Sequence, residues 1–168
     1  MIDAAGPGAG SERGAGPGRL AAMVQPTLEQ LSAAVRASWD RKTSDTPDRY
    51  DPGNPARDQC GPTSLVVHDY LGGDLYEVEV FTGGVRTDHH YWNRLPDGTE
   101  VDLTRTQFRS GETFGPAIVL PRPTHVSPAA QARYELLATR VLGALEPPTR
   151  VDHGQIAHVD QGNGAIRP

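Results

Sequence analysis

The chain contains one cysteine, Cys60, at the head of "DQCGPTSLVVHDYLGG", residues 58–73, just before a proline and an apolar run of helical character. A thiol attacks carbonyl carbon only as the thiolate, and the unpaired N–H groups and partial positive charge of a helix N-terminus favour that form. Such a nucleophile also needs a base, usually imidazole, held in one orientation by a further polar group. The segment "HHYWNRLPDGTEVDLT", residues 89–104, offers both, as histidines at 89 and 90 and an aspartate at 102.

Which histidine meets Asp102 depends on hairpin register. With Pro96, Asp97 and Gly98 as a three-residue loop, Leu95 faces Thr99, Trp92 faces Asp102, and His90 shares that face two residues away. His90 and Asp102 are then diagonal neighbours, with alpha carbons roughly 7–8 Å apart, within reach of an Asp side chain. A two-residue Asp97-Gly98 loop would slip the register by one and bring His89 to that face instead. Pro96 would then have to pair as a strand residue without an N–H to donate, so the spacing favours His90. Candidate oxyanion donors are the Cys60 backbone N–H and the adjacent Gln59 side-chain amide. Arg105 is a candidate partner for a substrate carboxylate, and Trp92 lines the His90 face.

The elements around these residues are legible in outline. Thr27 and Gln30 form a capping-box pattern ahead of Leu28, Leu31, Val35 and Trp39, which share one helical face, so a helix runs from Leu28 to near Asp40. Residues 43–59 hold three prolines and five aspartates or asparagines, which predicts a loop that delivers Cys60. Pro62 suits a first helical turn, and Gly72-Gly73 ends the helix. "DLYEVEVFTGG" alternates as a half-buried strand, a second strand follows, and the hairpin around Pro96-Asp97-Gly98 is the best-marked element. "PAIVLP" reads as a short strand. Ser127 and Pro128 open a last helix with Tyr134, Leu137, Val141 and Leu145 on one face. The order predicts an α+β domain, a small antiparallel sheet packed on helices.

Residues 27–145 are expected to form that single domain. The Gly/Pro/Ala-rich residues 1–26, with 12 of the first 18 being Gly, Pro or Ala, and residues 146–168 are expected to be flexible extensions. A net charge of -5 without a basic face argues against a nucleic-acid partner. One cysteine excludes an internal disulfide. With no apolar run long enough for a signal peptide or a membrane span, a cytoplasmic protein with no membrane partner is expected.

The segments "SWD", "DQCGPTSLVVHDYLGG" and "HYWNRLPDGTEVDLTRTQF" together resemble the YunG-like family of small bacterial proteins, over roughly residues 36–142. More distantly, a cysteine at a helix start, a histidine in "HYW" on a strand and an aspartate in "VDLT" on the next are similar to the transglutaminase and arylamine N-acetyltransferase branch of the papain-like fold. That resemblance implies a papain-like or transglutaminase-like domain with Cys60 as nucleophile, His90 as general base and acid, and Asp102 as orienter. The differences are a short Cys-to-His interval and no tryptophan after Cys60. The function implied is acyl transfer through an acyl-enzyme, by an amidase- or peptidase-like hydrolase or an acyltransferase. It would act on a small-molecule or peptide acyl substrate and needs no cofactor.

Each residue also has a plainer reading. A lone cysteine before a buried helix is often simple packing, and Cys60, His90 and Asp102 could form a buried polar network in a non-catalytic binding or accessory protein. His68 falls inside a helix, and an arginine beside a strand end, such as Arg105, is commonly just exposed. Zinc accepts N, S and O ligands, but the spacing of Cys60, His89, His90 and Asp102 matches no dense ligand motif, so no metal is expected.

Overall fold

The computed structural model describes residues 25–146. The extensions expected at 1–26 and 146–168 lie outside the described residues except for Gln25, Pro26 and Glu146. Three helices, α1 (Leu28–Ser38), α2 (Cys60–Leu71) and α3 (Pro128–Leu145), pack with a five-stranded antiparallel sheet. Its strands are β1 (Asp74–Thr82), β2 (Val85–Arg94), β3 (Glu100–Val101), β4 (Glu112–Phe114) and β5 (Ile118–Leu120). The sheet order is β3-β2-β1-β4, and β5 pairs with the same edge of β1 further along. The architecture is α+β.

The helices start where their side chains can satisfy orphan backbone donors. Thr27 accepts from the Gln30 N–H while the Gln30 side chain accepts from the Thr27 N–H, a reciprocal cap on α1. Ser127 accepts from the Ala130 N–H at the start of α3, and Pro128 occupies the turn where no N–H is needed. Their apolar faces meet in one core: Leu31 and Val35 of α1, Val66 and Val67 of α2, and Leu137 and Val141 of α3, closed by Val101 and Leu103. Complete burial of each such side chain is worth about 1.5–3 kcal/mol.

The core fixes how α2 lies on the sheet. Alternation puts Leu75, Tyr91, Asn93 and Val101 on the face toward α2, and the buried Asn93 amide donates to the Ser64 carbonyl of that helix (3.0 Å). The chain leaves α2 through Gly73, which has a left-handed φ of +87° and lies against the end of β2; a Cβ there would sit 2.1 Å from the Arg94 carbonyl oxygen. Only glycine fits both constraints.

The opposite face of the sheet carries an aromatic row. Trp92 stacks on Tyr76 with centroids 5.3 Å apart and on His90 at 5.7 Å, and Phe108 meets His90 edge-on at 4.7 Å and Phe114 at 4.6 Å. Phe108 follows a 3₁₀ turn, Arg105–Gln107, and Phe114 belongs to β4; neither element has a sequence period that announces it. They are held by these rings and by the loop before α2, whose Asn54 and Arg57 side chains both donate to the Gln107 carbonyl.

Candidate active site

Register places the histidine. Asn93 lies opposite Val101, Arg94 opposite Glu100, and the Leu95 N–H donates to the Thr99 carbonyl (2.8 Å) across the three-residue loop. Gly98 takes the left-handed position of that loop at φ +88°. Continued by one step, this pairing puts Trp92 level with Asp102, just past the end of β3, and His90 diagonal to it. His90 Nε2 and Asp102 Oδ2 are 2.8 Å apart, with the imidazole only 1% exposed. His89 alternates to the other face, where its ring lies against the Glu77 carboxylate.

The second imidazole nitrogen is also occupied. Gln107 Nε2 lies 2.8 Å from His90 Nδ1 and 3.3 Å from Thr104 Oγ1, while Gln107 Oε1 accepts from the Asp58 N–H. That acceptor role fixes which way the amide points, so its nitrogen donates to Nδ1 and the imidazole proton stays on Nε2, facing Asp102. Asp102 Oδ1 in turn accepts from the Thr104 N–H (3.2 Å) and hydroxyl (3.3 Å). The result is an ordered chain of donors and acceptors: Gln107 amide, His90, Asp102, Thr104.

Cys60 opens α2, and its N-terminus is unusually bare. Gln59 gives no side-chain cap, the first turn has no acidic residue, and Pro62 has no N–H. Of the four backbone positions that an α-helix leaves unpaired at its start, the Gln59 N–H is taken up by the Ala56 carbonyl. Cys60 and Gly61 therefore carry the N–H groups left for an anion or a polarised carbonyl. Trp39 Nε1 donates to Thr63 Oγ1 (3.0 Å) and ties this first turn to the end of α1.

The thiol sits against β2 where β3 has already ended. Cys60 Sγ lies 3.9 Å from the His89 carbonyl oxygen, and the Tyr91 backbone N–H and the Gln107 amide lie close enough to favour its anionic form. Burial pushes the thiol up to about 12, and the Asp45 and Asp88 charges add to that rise; the Tyr91 and Gln107 hydrogen bonds pull it back only in part. At neutral pH Cys60 is thus a protonated thiol. Two residues before it, Asp58 holds a left-handed φ of 59°, sparsely populated for a residue with a Cβ, pinned by contacts to Thr46 and Arg57.

The structure therefore brings His90 and Asp102 into direct contact and links Cys60 to them through Gln107. Gln107 was not singled out from the sequence, although it lies within "TRTQF", which begins two residues after Asp102. Gln59 is fully buried, and its amide donates to the Asp40 carbonyl (2.9 Å), away from the thiol's own contacts; its Oε1 is buried without a partner. Arg105 is exposed and lies over the Phe114 ring at 5.4 Å. Trp92 is half-buried, stacked between Tyr76 and His90, a wall of the imidazole's pocket. Among the described residues no group of three or more His, Cys, Asp or Glu side chains is placed to hold a metal ion. No described helix is long and apolar enough to cross a membrane.

The sequence matches the family model described as YunG protein over residues 27–146, most of the chain. The chain belongs to the YunG family. It is 28% identical over 83 residues to an uncharacterized protein YunG of Bacillus subtilis (strain 168), an alignment covering 49% of this chain and 64% of that relative. The chain thus spans less than two thirds of the relative's length. No solved structure gives a significant match. Cys60, His90, Asp102 and Gln107, together with Gln59, Trp92 and Arg105, all fall inside the YunG match.

Proposed function

We propose that the chain is a thiol-dependent acyl-transfer enzyme, papain-like or transglutaminase-like in its catalytic arrangement, with Cys60 as nucleophile, His90 as base and acid, and Asp102 as orienter. The observation that carries the reading is the buried imidazole between Asp102 Oδ2 and the Gln107 amide, each at 2.8 Å, with the same amide reaching the Cys60 thiol. A histidine whose tautomer is fixed by a carboxylate and whose other nitrogen faces a thiol's hydrogen-bond partner is prepared for proton transfer.

In this reading the Gln107 amide leaves His90 Nδ1 when a substrate carbonyl arrives and donates to the carbonyl oxygen instead. Nδ1 then takes the thiol proton as sulfur bonds to the carbonyl carbon. The oxyanion is held by Gln107 Nε2 and the Cys60 backbone N–H, a pair of donors typically worth 10²–10³ in rate for each one removed. The imidazolium returns its proton to the leaving group as the tetrahedral carbon collapses to an S-acyl cysteine. Water or an amine, deprotonated by His90, releases the acyl group.

A specific observation favours a second reading. Cys60 is only 5% exposed and its thiol is raised to about 12, as expected of a packed, inert thiol in a binding or accessory protein. Exposure to p-nitrophenyl acetate followed by intact-mass and peptide analysis separates the two. The enzyme reading expects a burst of about one p-nitrophenol per chain and one acetyl group on Cys60, both lost in Cys60→Ala and strongly reduced in His90→Ala. An unmodified thiol, or acetylation at the same rate in His90→Ala, overturns it.

A further inference from the structure

Beside the thiol, on the α2 face of the sheet, lies a cavity of about 500 Å³, within the size range of small-ligand sites. Leu65 of α2, Leu75 of β1, Leu120 of β5 and Val126 and Ala130 at the start of α3 wall it with Pro62. Two neighbours of the nucleophile line it: Gly61, the residue after Cys60, and Tyr91, whose backbone N–H favours the thiol's anionic form.

The polar side chains in the lining restrict what it can hold. Ser64 donates its hydroxyl to the Gly61 carbonyl (3.0 Å), and Tyr91 donates to Glu77 Oε1 (3.1 Å). Asp45, the remaining polar lining residue, is an acceptor held by Arg133 at 2.8 Å, and its Oδ2 stands 3.2 Å from where a Gly61 Cβ would lie. No side chain of the lining thus has a hydrogen to give to a ligand, and its one charged residue, Asp45, is already paired with Arg133. An anionic ligand would lose its hydration there without gaining a donor from the lining.

We propose that this cavity binds the apolar chain of an uncharged acyl compound, a medium-chain ester, thioester or amide, with its carbonyl presented to Cys60. The proposal rests on the acyl-transfer reading for the orientation of the ligand, but the selection for a neutral apolar chain follows from the lining alone. Gly61 puts no side chain of its own between the cavity and the first turn of α2.

The test is titration of the ¹⁵N-labelled full chain with octanamide and with octanoate, followed by two-dimensional NMR. Saturable shifts confined to Gly61, Leu65, Leu75, Tyr91, Leu120 and Val126, with octanoate at least ten-fold weaker, are expected. Leu65→Arg and Ala130→Trp, each checked for a native far-UV spectrum, should abolish the octanamide shifts. Equal binding of octanoate, absence of saturable shifts in the wild type, or unchanged binding in both folded variants overturns the proposal. Reaction with p-nitrophenyl octanoate, in which the sulfur–carbonyl bond replaces the ester bond and p-nitrophenol departs with the thiol proton, tests the chemistry separately. Octanamide binding without acylation of Cys60 removes the acyl-transfer reading and leaves the apolar site; acylation with equal rates for acetyl and octanoyl esters keeps that reading and removes the cavity's role.

Discussion

The Gln107 side-chain amide stands 2.8 Å from His90 Nδ1, the nitrogen a thiol would need as its base. The same amide lowers the Cys60 pKa, so a single side chain both favours the thiol's anionic form and occupies the imidazole lone pair that would accept its proton. These effects oppose each other, and they set apart the consequences of removing the amide.

Gln107→Ala frees Nδ1. Iodoacetamide should then alkylate Cys60 at pH 7 several-fold faster than in the wild type, because the imidazole becomes available to the thiol. Acyl transfer to water should move the other way, falling by about 10²–10³ with the loss of an oxyanion donor. Parallel stopped-flow alkylation and ester hydrolysis check the split; a fall in both rates would show that the amide acts only by holding the loop at Asp58 in place.

Asp102→Asn should invert the hydrogen-bond chain. The carboxylate accepts from His90 on one oxygen and from Thr104 on the other, and an amide can accept on only one side. If its oxygen keeps Thr104, its NH₂ faces Nε2, and the displaced imidazole proton on Nδ1 meets the Gln107 amide donor to donor. A cost of about 1–3 kcal/mol in urea unfolding is expected for the mismatched buried group. Imidazole ¹⁵N shifts of His90 should report the change of tautomer.

Gly73→Ala tests how α2 is seated. The new Cβ would lie 2.1 Å from a backbone oxygen that cannot rotate away, at a φ of +87°. Both penalties act at the joint between the end of α2 and the end of β2, so a loss of about 3–5 kcal/mol, at the upper end for one substitution, is expected from the urea midpoint. A change without either constraint, Gly143→Ala in α3, where a Cβ meets nothing within 4 Å, should be neutral or stabilising.

The parts of the site that were readable in the sequence are those fixed by local rules. Proline, aspartate and glycine at 96–98 determine the hairpin loop, the loop determines register, and register alone brings His90 rather than His89 to Asp102. Thr27 and Ser127 mark helix starts for equally local reasons. Gln107 was not readable because its position depends on distant partners: the Asp58 N–H takes its oxygen, Asn54 and Arg57 hold its carbonyl, and neither contact leaves a pattern in "TRTQF". The three-residue β4 was missed for the same reason, since Phe114 is placed by ring packing against Phe108. The state of the thiol was hidden too: helix position alone suggests an anion, and the desolvation that outweighs it comes from tertiary burial.

That desolvation makes alkaline stability a readout of Cys60. The folded thiol is raised from 9.0 to about 12, so between these values the unfolded chain has released its proton while the folded chain keeps it. Fewer protons are then bound in the unfolded state, and the free energy of unfolding must fall with pH, by up to about 1.4 kcal/mol per unit from this one group. Below pH 9 the contribution is fully present; above pH 12 it is lost. Tyr134 is raised to about 12 as well, so the decline has more than one source, and the informative quantity is the difference between the wild type and Cys60→Ala. Urea unfolding of both proteins from pH 8 to 11 should give curves that are parallel below pH 9 and diverge above it, with the alanine variant losing less. Parallel curves throughout would mean that the folded thiol ionises as readily as the unfolded one. The environment at the head of α2 would then be more polar than its burial implies.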